Sequence, residues 1–93
     1  MIAVDAHYFF PPAEAYPINK ALFLLKSDDA FRARYQADPD AALAELGLDA
    51  PTRAQVRAFD RDALVGRGAH PYLVFMAQLR LRMEREPGSL ELF

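Results

Sequence analysis

The sequence predicts an all-α domain of about five short helices, preceded by an extended N-terminal arm. Apolar residues recur at the 3.6-residue period of a helix, and no segment alternates apolar and polar residues as a half-buried strand does. Each apolar stripe also begins beside a residue type that starts helices, namely Ser, Asp, Thr or Pro. With 93 residues, 53% apolar and 26% charged, the chain has the composition of one folded domain. We divide it into an arm (1–17), a helical domain (18–86) and a short apolar tail (87–93).

The first two predicted helices each bury one stripe. Pro17 opens the first helix, because the first helical position needs no backbone donor. Its apolar residues recur at i, i+4 and i+7: Ile18, Leu22 and Leu25. Ser27 is predicted to cap the second helix. On that helix Phe31 and Tyr35 stand four residues apart and face inward, and Arg32 is expected to point elsewhere.

Two further helices are predicted between residues 38 and 64. Asp38 and Pro39 start one of them, as N-cap and first helical residue, and Gly47 is placed to end it in the left-handed conformation. The next begins with a capping box over 52–55, the sequence Thr-Arg-Ala-Gln, and continues to residue 64. Its inward stripe is Val56, Phe59 and Ala63.

The last predicted helix begins at the pair His70-Pro71 and ends before Pro87-Gly88. Its inward stripe runs at i, i+4, i+7 and i+11: Tyr72, Met76, Leu79 and Met83. The first half of this helix is apolar on nearly every side, which is typical of a helix at the centre of a fold.

Composition excludes several classes of function. The chain has no cysteine, so it forms no disulfide, iron–sulfur cluster, thiolate nucleophile or cysteine-based zinc finger. A net charge of −2 disfavours a nucleic-acid partner. Apolar runs such as Ala21–Leu25 are far shorter than the roughly 20 residues of a membrane span, and the N-terminus lacks a signal-peptide pattern. We therefore expect a cytoplasmic protein with neither a nucleic-acid nor a membrane partner.

No catalytic or metal-binding constellation is evident in the sequence. A non-haem iron site with two histidines and one carboxylate would need both His7 and His70, and His7 lies in the arm without a rigid scaffold. The stretch 66–68 is too short for a nucleotide-binding fingerprint, and neither serine is near a histidine in sequence. We expect no metal, no cofactor and no catalytic residue in this chain, which would not be an enzyme on its own.

The arm carries Tyr8, Phe9 and Phe10 directly before two prolines. Disordered tails seldom carry this much aromatic surface. Two interpretations stay open: the rings pack over the core of their own chain, or they form an interface with a partner chain, where aromatic anchors are favoured. We predict the interface, with either a second copy of the chain or another protein.

The sequence of the last two helices resembles a known family. The segments that carry the resemblance are residues 57–64 (RAFDRDAL) and 66–73 (GRGAHPYL), supported by 31–39 (FRARYQADP) and the Leu-Gly-Leu ending at 46–48. Together they are similar to the LigA-like family, the small α subunits of type II extradiol dioxygenases of the protocatechuate 4,5-dioxygenase type. The resemblance covers roughly residues 20–83.

The resemblance implies a non-catalytic, all-α small subunit of an enzyme that opens aromatic rings during the catabolism of aromatic compounds. It further implies that Fe(II) lies in a separate large β subunit, and that the small subunit caps the active-site cleft. By position in the family motif, Gly68, His70 and Tyr72 belong to the loop-to-helix turn and Asp60 to the helix before it. These four residues are the candidates for contact with the substrate or the partner.

Each candidate also has a purely structural interpretation. His70 stands where it could cap the last helix, or meet a substrate oxygen or a partner carboxylate. Helical spacing already explains Tyr72 as a core residue, without a ligand pocket. Asp60 could simply pair with Arg57 or Arg61.

Three classes of function follow. The first is the dioxygenase subunit. The second is a freestanding helical module for protein interaction or small-ligand binding that keeps only the LigA-like fold. The third is a small DNA-binding domain with helices 52–64 and 70–85 as a helix-turn-helix, which the net charge of −2 opposes.

Overall fold

The computed structural model describes residues 15–85, which form six helices and no strand. In chain order the helices are α1 (Tyr16–Ser27), α2 (Asp29–Ala37), α3 (Pro39–Ala44), α4 (Ala50–Ala58), α5 (Arg61–Gly66) and α6 (Pro71–Arg85). The predicted all-α class is confirmed, and the predicted number of about five helices is close.

The longest two helices, α1 and α6, form the centre of the fold and have the most extensive contact between any two elements. They run parallel: Asn19, near the start of α1, bonds to the turn that precedes α6, and the end of α1 is linked through Arg32 to Glu84 near the end of α6. The other helices pack in series, each against the next in the chain, and α2 also packs against α1. The central position predicted for α6 is therefore correct.

The core contains the apolar stripes predicted for the first two helices. Ile18, Leu22 and Leu25 are buried, as are Phe31 and Tyr35. The rest of the core comes from the later helices and the loops between them: Ala42, Leu43, Leu48, Val56, Leu64, Ala69, Val74, Ala77 and Leu81.

Four of the six described helices start at an aspartate that caps free backbone donors, and two of the predicted caps were wrong. Asp28 caps α2, accepting from the amide of Phe31 at 3.0 Å, so the prediction of Ser27 was wrong. Asp49 caps α4, accepting from the amide of Thr52 at 3.0 Å. Hydrogen bonds from the side chain and the backbone amide of Thr52 lower the pKa of Asp49. Thr52 therefore lies inside the first turn, and the predicted capping box is wrong.

The helix predicted over 52–64 is interrupted at Phe59. This residue adopts a left-handed conformation, with φ 50° and ψ 48°, and ends α4. Asp60 then starts α5 by accepting from the amide of Ala63 at 3.2 Å. Non-glycine residues seldom occupy this conformation, so the apolar periodicity alone gave no sign of the break.

The face of α6 that packs against the core is also different from the prediction. The buried residues are Val74, Ala77 and Leu81, whereas Tyr72 is 55% exposed and Met83 is exposed. Because the first half of α6 is apolar all round, either of two apolar stripes could have packed against the core. The one with the small Ala77, which permits close helix packing, is buried.

Arg32 lies inside the fold and not on its surface, with 1% of its area exposed. Its guanidinium donates to the backbone oxygens of Leu25 and Lys26 at 3.1 and 3.2 Å, to Glu84 at 2.7 Å, and to Asp29. These bonds tie the end of α1 and the start of α2 to the end of α6, and they satisfy the donors that burial removes from water.

Candidate functional site

The turn between α5 and α6 brings together three of the four candidate residues. Gly68 has φ 105°, a conformation that favours glycine, and its carbonyl accepts from Asn19 Nδ2 at 3.2 Å. Asn19 Oδ1 in turn accepts from the backbone amide of His70 at 2.8 Å. Asn19, on α1, therefore holds both sides of the turn. Asn19 was not predicted as a site residue, because its two bonds join it to residues 49 and 51 positions away in sequence.

His70 is the N-cap of α6. Its Nδ1 accepts from the amide of Tyr72 at 3.1 Å, and its carbonyl accepts from the amide of Val74 at 3.1 Å. An accepting Nδ1 places the imidazole proton on Nε2. The side chain is otherwise exposed, and its ring meets that of Tyr72 edge to face, with centroids 6.4 Å apart. The predicted structural role as a cap is present, and the ring stays accessible at the start of the helix.

From this turn an apolar stripe runs along the outer side of α6. We define the aromatic stripe as Tyr72, Phe75, Leu79 and Met83, which recur at i, i+3, i+7 and i+11. Tyr72 is 55% and Phe75 59% exposed, Met83 is exposed, and Leu79 is half-buried. Isolated exposed apolar residues are ordinary on a protein surface, but a continuous row that includes two aromatic rings is typical of a surface that contacts another molecule.

Asp60 lies apart from this turn, because the six residues of α5 separate the two. Its carboxylate caps α5, and it forms none of the ion pairs found in residues 15–85. Arg57 instead lies 3.9 Å from Asp40, and Arg61 lies 3.9 Å from Asp62. The predicted pairing of Asp60 with Arg57 or Arg61 is therefore wrong, and its observed role is that of a helix cap.

Two other predictions depend on residues outside the described range. The interface residues Tyr8, Phe9 and Phe10 lie there, as does His7. Within residues 15–85, no group of three or more His, Asp or Glu side chains is arranged to hold a metal ion. None of the six helices in that range is long and apolar enough to cross a membrane.

Comparison with known proteins identifies the family. The chain matches the family profile described as "Aromatic-ring-opening dioxygenase LigAB, LigA subunit" over residues 18–85, which includes the α5–α6 turn and the aromatic stripe. Neither the curated proteins nor the solved structures give a match. The match covers more than two thirds of the 93 residues and agrees with the resemblance at 57–73, so the chain belongs to the LigA family of aromatic-ring-opening dioxygenase subunits.

Proposed function

We propose that this protein is the non-catalytic small subunit of an enzyme that opens aromatic rings in the catabolism of aromatic compounds, and that it caps the active-site cleft of a separate large subunit. The observation that carries the proposal is the family match over residues 18–85, which spans nearly all of the six helices. The aromatic stripe supports it, because a subunit that acts only in a complex needs a docking surface.

The stripe has the composition of an interface core. Aromatic residues and methionine are enriched where proteins bury surface against each other, whereas lysine and glutamate are depleted there. Tyr72 and Phe75 combine large apolar area with few rotatable bonds, so docking them costs little conformational entropy. In this proposal the large subunit buries Tyr72, Phe75 and Met83.

The α5–α6 turn then lies at one end of the docked surface, next to the cleft. His70 is bonded through Nδ1 to its own helix, which leaves Nε2–H as a donor toward a substrate oxygen or a partner carboxylate. Gly68 and Asn19 fix the turn, and Asp60 acts at a distance by starting α5. Fe(II) in the large subunit would supply the oxygen chemistry, and this chain would cover the active-site cleft and shape its entrance.

Ring-opening activity of the large subunit, measured with and without this chain, tests the proposal. We expect adding the chain to raise kcat/KM, and Tyr72→Ala combined with Phe75→Ala to weaken association by about tenfold or more, as loss of two interface anchors does. Phe23→Ala is the matched control, since Phe23 is 50% exposed but lies on α1, outside the stripe. The His70→Ala variant should bind the large subunit normally but lower its turnover. The loss of the helix cap costs about 0.5–2 kcal/mol of stability, and the fall in turnover should exceed what that loss explains.

Equal loss of association in Phe23→Ala and in the stripe variant would contradict the docking surface. Unchanged activity on addition of the chain would contradict the capping role.

A further inference from the structure

A concave surface lies on a different face of α6 from the aromatic stripe. It is a groove of about 450 Å³ between α2, α3, α4 and α6. The residues that α6 contributes are Gln78, Leu81 and Arg85, whereas the stripe uses positions 72, 75, 79 and 83. The groove has the size of an ordinary small-molecule site, and nothing in the proposed docking uses it.

Two cations face this groove. Arg57 is 3.9 Å from Asp40, but Arg53 already holds that carboxylate at 2.8 Å. Within residues 15–85 no carboxylate comes within 4.0 Å of the Arg85 guanidinium.

Arg85 has two acidic neighbours in sequence, Glu84 and Glu86, and Glu86 lies outside the described residues. Glu84 is bonded at 2.7 Å to Arg32, and its other oxygen accepts from Gln36 at 3.3 Å. The carboxylates of the described residues around the groove are thus already engaged by other donors. Considering the described residues alone, the charges of Arg57 and Arg85 remain available to a further anion.

Tyr35 lines the same groove as these two arginines. Burial raises the pKa of its hydroxyl, and the charges of Arg57 and Arg85 act in the opposite direction. The hydroxyl therefore stays protonated and can donate a hydrogen bond at neutral pH. Tyr35, Arg57 and Arg85 thus give this one groove a hydrogen-bond donor and two positive charges.

Most of the remaining wall is apolar. Its apolar part is formed by the rings of Phe59 and Tyr35, with Leu81 and Pro39, and the amides of Gln36 and Gln78 complete the lining. Phe59 holds its place in the left-handed conformation at the end of α4, where glycine is the usual residue. A glycine would end the helix with less strain but would remove the ring from the wall.

We propose that this groove binds a small organic carboxylate with an apolar ring or short chain. The carboxylate lies between Arg57 and Arg85 and accepts from the Tyr35 hydroxyl, and the apolar part packs on Phe59 and Leu81. A larger groove of about 560 Å³, beside Pro17, fits this chemistry less well because Asp49 and Arg67 give it charges of both signs.

Titration of the full chain alone, followed by amide NMR shifts, tests this site independently of any large subunit. The probes are benzoate, its neutral counterpart benzamide, and acetate, which keeps the charge but lacks the ring. We expect saturable binding of benzoate, with benzamide and acetate at least about tenfold weaker. Arg57→Gln and Arg85→Gln should each weaken benzoate by about three- to tenfold, and Tyr35→Phe should weaken it less.

Arg61→Gln is the control, since it removes the same charge from an arginine that does not line the groove. Benzoate binding should not change in this variant, and all variants should keep the helical circular dichroism of the parent. Equal binding of acetate and benzoate would mean that any carboxylate suffices, including an Asp or Glu of a partner chain, and would overturn the proposal. No saturable binding of benzoate, or equal weakening in Arg61→Gln, would overturn it as well.

Discussion

Replacement of Phe31 by alanine is expected to lower the free energy of unfolding by about 3–5 kcal/mol, the largest loss for any truncation of a core ring. Phe31 is 1% exposed and is among the largest fully buried side chains. Its removal takes an aromatic ring out of the contact between α2 and the core and leaves a cavity. Urea denaturation followed by circular dichroism measures the change.

Tyr72→Ala is the matched control, because it also removes an aromatic ring from a helix. Tyr72 is 55% exposed, so its loss should change stability by no more than about 0.5 kcal/mol. If Tyr72→Ala were destabilised as strongly as Phe31→Ala, Tyr72 would belong to the core and the aromatic stripe would not be a free surface.

Arg32→Ala should lower stability by about 2–4 kcal/mol. The variant loses the packing of a buried side chain and leaves the carbonyls of Leu25 and Lys26 without the donor they bond in the native chain. Glu84 and Asp29 lose an ion pair but stay partly or largely in water, which keeps the cost below that of a fully buried orphan charge.

Arg34→Ala is the control for Arg32, since Arg34 is on the same helix with 54% of its side chain exposed and its nearest carboxylate 3.8 Å away. We expect it to change stability by less than about 0.5 kcal/mol. If the two variants had similar free energies of unfolding, the bonds of Arg32 to α1, α2 and α6 would not stabilise the fold.

The parts of the fold that follow local rules were predictable. The stripe of α1 was predicted correctly, because Ile18, Leu22 and Leu25 recur at helical spacing and all three are buried. The start of α3 at Asp38 and Pro39 was also predictable: Asp38 accepts from the amide of Ala41 at 3.2 Å, because an N-cap aspartate and a proline in the first turn both favour a helix start.

The errors arose where tertiary contacts chose between equal local options. Either stripe of α6 could have been buried, and only the packing of Ala77 and its neighbours decided for the stripe without Tyr72. Arg32 was assigned to the surface because arginine is usually exposed. The acceptors that satisfy its buried guanidinium lie at the end of α1 and near the end of α6. The break at Phe59 required a left-handed aromatic residue, which no propensity rule favours.

The candidate site was predicted in part. Gly68, His70 and Tyr72 do share one turn, as the family motif implies, and His70 caps its helix. Asn19 could not be placed there from sequence, because the bond joins residues about 50 positions apart. The charged groove was also missed, since its arginines, Arg57 and Arg85, come from separate helices and line one groove only in the folded chain.

Co-purification from the native source most directly tests whether this chain acts as a subunit. The measurement is the mass and metal content of the complex that contains the chain, by size exclusion with mass spectrometry and iron analysis. We predict that an iron-containing protein of single-domain enzyme size, roughly 30 kDa, co-elutes in a fixed ratio, and that the Tyr72→Ala, Phe75→Ala variant fails to retain it. A chain that elutes without such a protein, or a complex that the stripe variant still forms, would contradict the account.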